Sequence, residues 1–200
     1  MILTNDTVIR EALVQKLSTL HAHDPKVRII PELGVRHGAA RLDVAVVNGI
    51  LHGYEIKSDK DTLARLPEQA HAYNSVFDKV TLVVGKKHLY EAMHLLPDWW
   101  GVTLAKLDSD GSVVFNTLRD AATNPLSERP AMARLLWREE ALGLLESAGE
   151  AHGLRSKPRN DIYAKLSTVL DPQALGHAVR ETLFFRQDWR ADAPLVLCGD

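Results

Sequence analysis

Asn48-Gly49 lies between two strand-like runs, residues 42–47 and 50–57. This dipeptide between apolar segments is the strongest short-range signal for a β-hairpin. The two runs must pair antiparallel, which folds Asp43 back toward Glu55. Around that hairpin the chain alternates helical and extended patterns. Asn5 or Asp6 can cap a first helix, whose Ile9, Leu13, Leu17 and Leu20 recur at helical spacing until Asp24-Pro25 closes it. Residues 27–32 alternate as a strand ending at Pro31 or Glu32, and Gly34 and Gly38 mark the turn that follows. Ser58, Asp59 and Asp61 offer caps for a helix carrying Leu63, Leu66, Ala70, Tyr73 and Phe77, with Pro67 kinking it or opening its main part. Residues 80–84 read as a strand buried on both faces, followed by a helix over 87–95. A second hairpin, 102–107 with 112–118, turns at Asp110-Gly111.

Asn124-Pro125 ends this pattern. Helices are predicted over about 129–148, 158–170 and 172–186, so the division expected is an α/β core at 1–122 and a helical region at 123–200. With 46% apolar and 25% charged residues in 200, the chain can bury one core and is no disordered tail. Its apolar runs fall far short of the roughly 18 residues a spanning helix needs, and no signal pattern opens it, so neither membrane nor export is expected. Cys198 has no internal partner for a disulfide, and a cytoplasmic setting fits. A net charge of −2 means that any nucleic-acid binding must come from a local patch.

Asp43 opens one strand of the first hairpin, while Glu55 and Lys57 close its partner on a shared face. Three charges at one end of a sheet are costly to bury without a compensating ion or partner. Mg²⁺, held by one or two carboxylates and substrate phosphate, would supply that compensation, and a lysine beside it could assist an attacking water. The register tests this. A strict two-residue turn sets Asp43 opposite Tyr54 with Glu55 facing away, so a shared ion requires a three-residue loop, 48–50, or a bulge at Gly53.

Arg41-Leu42-Asp43, Glu55-Ile56-Lys57 and Gln69-x-x-x-Tyr73 together resemble the PD-(D/E)XK nuclease superfamily and its RecB-like branch. The stretch Gly53-Tyr54-Glu55-Ile56-Lys57-Ser58-Asp59-x-Asp61-Thr62-Leu63-x-Arg65-Leu66 is similar to uncharacterised bacterial proteins of that superfamily, although Leu42 stands where the motif has proline. The resemblance covers about residues 5–85. It implies a restriction-endonuclease-like mixed sheet flanked by helices, with a C-terminal helical appendage. It further implies a deoxyribonuclease dependent on Mg²⁺ or Mn²⁺, with Asp43 and Glu55 as metal ligands, Glu32 as third acid and Lys57 as catalytic lysine. Gln69 and Tyr73, with Arg65 one turn earlier, would contact DNA. Glu11 is a rival third acid. The alternative is a catalytically silent nuclease fold serving as a DNA-binding or assembly module, and a third reading is an interaction protein using its helical tail.

Outside this constellation, the nine histidines show no zinc-site spacing, although His37 falls between Glu32 and Asp43 where phosphate would approach. Trp99-Trp100 reads as packing between the two regions. Arg155, Lys157, Arg159 and Lys165, against Asp161, form a basic patch at a helix start that suits DNA phosphates. A homodimer or larger complex is left open.

Overall fold

A computed structural model describes residues 3–36, 38–126, 129–187 and 189; His37 and Cys198 lie outside them. Helix α1 (Asp6–Leu20) is capped by Asn5, whose side-chain oxygen accepts from the Val8 N–H at 3.0 Å. Strands β1 (Arg28–Val35), β2 (Ala40–Val47) and β3 (Leu51–Lys57) form an antiparallel meander. Helix α2 (Leu66–Asn74) then crosses to β4 (Lys79–Gly85), and α3 (Leu89–Leu95) crosses to β5 (Gly101–Leu107). Both crossovers join parallel neighbours, and β6 (Val113–Arg119) completes the sheet antiparallel to β5. The result is one six-stranded mixed sheet in sequential order, as the α/β patterning predicts. Helices α4 (Arg129–Ala133), α5 (Arg138–Ser147), α6 (Arg159–Val169) and α7 (Pro172–Phe185) follow.

Successive crossovers of one hand place α2 and α3 on the same face of a sequentially ordered sheet. Leu42, Ala45 and Val47 bury toward that face with Tyr73, Phe77 and Trp100, and Leu136, Ile162 and Val179 of the C-terminal helices join the same core. The opposite face carries α1, whose Ile9, Leu13 and Leu17 pack on Val44, Val46 and Ile56. Among the described residues no helix is long and apolar enough to cross a membrane.

Several boundaries differ from the sequence pattern. Gly34 lies inside β1, paired with Arg41, because Leu33 and Val35 on either side are buried and hold the strand together past the glycine. Helix α2 begins at Leu66, and Ser58 to Asp61 form a turn in which Asp61 accepts from the Ser58 backbone and hydroxyl, both at 2.7 Å. Asp59 is buried and does not cap α2; it accepts from the Thr4 N–H and hydroxyl and from the Lys87 N–H, in the helical turn that leads into α3. The helix expected over 129–148 is split, and α5 starts afresh where Glu140 accepts from the Trp137 N–H at 2.6 Å. Trp100 is fully buried in the core to which the C-terminal helices also contribute, and it donates to Asn74 of α2.

Candidate functional site

The β2–β3 register runs from Val47 opposite Leu51 to Val44 opposite Tyr54, so the loop contains Asn48, Gly49 and Ile50. Gly49 takes φ +88°, which its lack of a Cβ permits. This is the three-residue loop drawn from the sequence, whose register, continued one step past the last pair, would set Asp43 against Glu55; Gly53 is needed for close packing, since a Cβ there would lie 2.9 Å from Leu42. Beyond Val44 the strands part, with β2 staying on β1 and β3 on β4. Asp43 bridges the fork, one carboxylate oxygen accepting from the Ile56 N–H at 2.7 Å.

Glu55 is 1% exposed, and its two oxygens meet the Lys57 ammonium at 2.6 Å and the Tyr73 hydroxyl at 2.9 Å. Tyr73 also lies 2.8 Å from the Arg41 carbonyl, so α2 is tied to both β2 and β3. Gln69, one turn earlier, is buried beside them with its carbonyl oxygen unpartnered. Burial pushes the Glu55 carboxyl above its usual range, against the pull of Lys57, Tyr73 and Gln69. Burial, then the charge of Glu55, carries Asp43 up to about 7, opposed by the Ile56 N–H and Arg10.

Arg10 is the residue that sequence reasoning does not supply. Its guanidinium stands among three acids, at 2.7 Å from Asp43, 2.8 Å from Asp6 and 2.6 Å from Glu32. Burial opposes its charge, yet these carboxylates outweigh burial and hold it more firmly protonated than usual. Glu32, at φ +54°, turns its second oxygen to Arg41 at 3.3 Å. Every carboxylate oxygen of Asp43, Glu55 and Glu32 therefore has an internal donor. Among the described residues no three His, Cys, Asp or Glu side chains are grouped to hold a metal ion. In this structure Arg10 and Lys57 give the carboxylates the compensation that a divalent cation would give. Glu11 sits elsewhere, in the groove between α1 and residues 111–115.

A second polar region opens between β1 and the C-terminal helices. A cavity of about 240 Å³ is lined by Arg134, Arg138 and Arg159, with Trp137, Tyr163 and Glu32. Arg138 donates to the carbonyls of Arg155 and Lys157, which carry no formal charge. Arg134 and Arg159 are exposed and make no ion pair among the described residues. Arg186, by contrast, is fully engaged: it binds Glu140 through two nitrogens at 2.8 and 2.6 Å and stacks 4.4 Å from the Trp137 ring and 4.7 Å from Trp189.

The basic patch expected from the sequence is thereby redistributed. Arg155 pairs with Glu146 at 2.8 Å and Lys165 with Glu150 at 2.6 Å; Lys157 is exposed, and Arg159 turns to the cavity. Arg65 is exposed at the start of α2, while Gln69 and Tyr73 face inward.

No solved structure matches the chain. Protein cII of Enterobacteria phage P4 is 44% identical over 63 residues, which are 32% of this chain; the match spans 24% of that protein's length. The family model for bacteriophage P4 protein cII matches residues 3–189. That match overturns the PD-(D/E)XK resemblance, and with it the reading of the chain as a Mg²⁺-dependent nuclease, a hydrolase, or a silent relative of that fold. The motif residues are present, but they occur here in a closed ion-pair network within a different family. Matched over nearly its whole length, the chain belongs to the bacteriophage P4 protein cII family.

Proposed function

We propose that this cII-family chain is a regulatory DNA-binding protein, acting by occupying duplex DNA rather than by altering it, with backbone phosphates held in the arginine-lined cavity. The observation that carries the reading is the imbalance of charge there. Arg134 and Arg159 meet no carboxylate among the described residues, and Arg138 bonds only to neutral carbonyls. Of the acids nearby, Glu32 is occupied by Arg10 and Arg41 and Glu140 by Arg186, while Glu139, whose charge reaches Tyr163, is exposed and makes no ion pair with these arginines among the described residues. Three guanidiniums around one cavity repel one another, and an anion between them converts that repulsion into charge-assisted hydrogen bonds. The planar fork of arginine matches phosphate with two parallel bonds, and contacts of this kind fix position without reading sequence.

A net charge of −2 is compatible with this reading, because the attraction it invokes is local. Fluorescence anisotropy on labelled duplexes of unrelated sequence tests it. Wild type binds at low salt, Arg134→Ala/Arg159→Ala binds more weakly on every sequence by a similar factor, and the duplexes are recovered intact. A wild type that leaves the duplexes free, or a double variant that binds as tightly, overturns the proposal.

A further inference from the structure

Two acids in the first turn of α5 stand beside the arginine cavity, and the fold treats them differently. Glu139 is exposed, so water and salt screen its charge. Glu140 is held: its side chain is 18% exposed, and its oxygens accept from Arg186 Nε at 2.8 Å and Nη2 at 2.6 Å. The oxygen that meets Nη2 also accepts from the Trp137 N–H at 2.6 Å. Arg186 itself is 7% exposed and directly follows α7. Its Nη2 donates to the Leu135 carbonyl at 3.0 Å, and its guanidinium lies over the rings of Trp137 and Trp189. The end of α7 is thereby tied to the turn between α4 and α5, which carries Arg134 and Arg138 to the cavity.

Resting on the phosphate-binding reading above, we propose that Arg186 is a positioning residue that regulates this cavity. By neutralising Glu140, it keeps an internal carboxylate from competing with DNA phosphate for Arg134 and Arg159. Reach and medium both support the competition. After burial, the charges that act on the Tyr163 hydroxyl in the cavity wall are those of Arg159, Glu139, Glu140 and Arg134, so Glu140 acts on the same point as two of the cavity arginines. A largely buried charge that loses its partner acts through protein rather than through water, which strengthens its pull on those arginines. The guanidinium fork fits a carboxylate as it fits a phosphate, so a freed Glu140 is a ligand of the kind the cavity takes. Whatever draws Arg186 off Glu140 therefore lowers DNA affinity while every cavity arginine stays in place.

Fluorescence anisotropy of the full chain on a labelled duplex at one low salt concentration tests this. Arg186→Gln should weaken binding about tenfold, and Glu140→Gln/Arg186→Gln should return it to within about twofold of wild type. Arg155→Gln makes the same change in net charge and releases Glu146 on the surface, and it should leave affinity nearly unchanged. Removing an acid repairs neither a lost phosphate contact nor a damaged fold, so a paired variant as weak as Arg186→Gln overturns the proposal. An Arg186→Gln that binds like wild type, or an Arg155→Gln that is equally weak, overturns it too. A wild type that leaves the duplex free overturns the phosphate reading instead, and a second measurement then decides without DNA. In urea unfolding, Glu140→Gln and Arg134→Ala/Arg159→Ala should be additive with Arg186 in place and coupled in the Arg186→Gln background. Additivity in both backgrounds shows that a freed Glu140 does not turn to these arginines, and it overturns the proposal whatever the DNA result.

Discussion

The fork at β2 and β3 and the cavity beside α5 and α6 both gather arginines and acids from distant parts of the chain, but they do so with opposite outcomes. At the fork, Arg10, Lys57, Tyr73 and the Ile56 N–H meet every oxygen of Asp43 and Glu55. At the cavity, Glu32 and Glu140 are taken up by other arginines, and Arg134, Arg138 and Arg159 line it with no ion pair of their own among the described residues. The first region is therefore a fastening that ties α1, α2, β2 and β3 together, and the second is a place where a ligand has something to gain. Which residue types are present does not separate the two; the charge left uncompensated does.

The contrast can be broken by substitution. Glu55→Ala should have the largest effect, because it leaves the Lys57 ammonium, 11% exposed, without its partner. A loss of about 3–5 kcal/mol in urea unfolding is expected, and Glu55→Ala/Lys57→Met should recover much of it. A single variant as stable as wild type would show that the fork is no fastening. The pH dependence follows from Asp43. Its carboxyl is raised from 3.8 to about 7 by burial and the charge of Glu55, so the folded state binds its proton more tightly than the unfolded state does. That contribution is fully present below about pH 4 and is lost as pH rises through about 7. Asp43→Asn should flatten the stability profile across that window. His52, pushed down to about 4 by burial and then by Lys79, slopes the other way, but it is common to both proteins and cancels in their difference.

Tyr73→Phe removes the hydroxyl shared by Glu55 and Arg41 while keeping the buried ring, and should cost about 1–3 kcal/mol by thermal or urea unfolding. The smallest effect sharpens the other side of the contrast. Arg155 is 80% exposed and paired with Glu146, so Arg155→Ala should change stability by less than about 0.5 kcal/mol and leave duplex affinity nearly unchanged.

Local signals carry the strands and helices well because their causes are local. Asn48-Gly49 fixes the hairpin, Asn5 caps α1, Asp171-Pro172 opens α7, and the alternatives left by Asp43 and Glu55 narrow to the loop of three residues that the structure shows. Gly34 is misleading because burial of its neighbours outweighs its own preference for a turn. Arg10 is invisible from sequence for a different reason. It lies 33 residues from Asp43, next to the apolar stripe of α1, and reads as an ordinary helix-surface arginine until the helix is laid on the sheet. Without it, Asp43, Glu55 and Lys57 leave negative charge uncompensated; with it, Asp43 has a cationic partner. The same blindness affects Arg155 and Lys165, whose acids Glu146 and Glu150 come from the preceding helix and its exit.

The most direct test is the salt dependence of duplex binding, measured as the slope of log affinity against log salt concentration for wild type, Arg134→Ala/Arg159→Ala and Arg10→Ala. The cavity account predicts that the double variant loses about 2 from the magnitude of the slope, one for each phosphate contact removed, while Arg10→Ala destabilises the fold but leaves the slope as it was. A slope unchanged in the double variant, or diminished in Arg10→Ala alone, would contradict it.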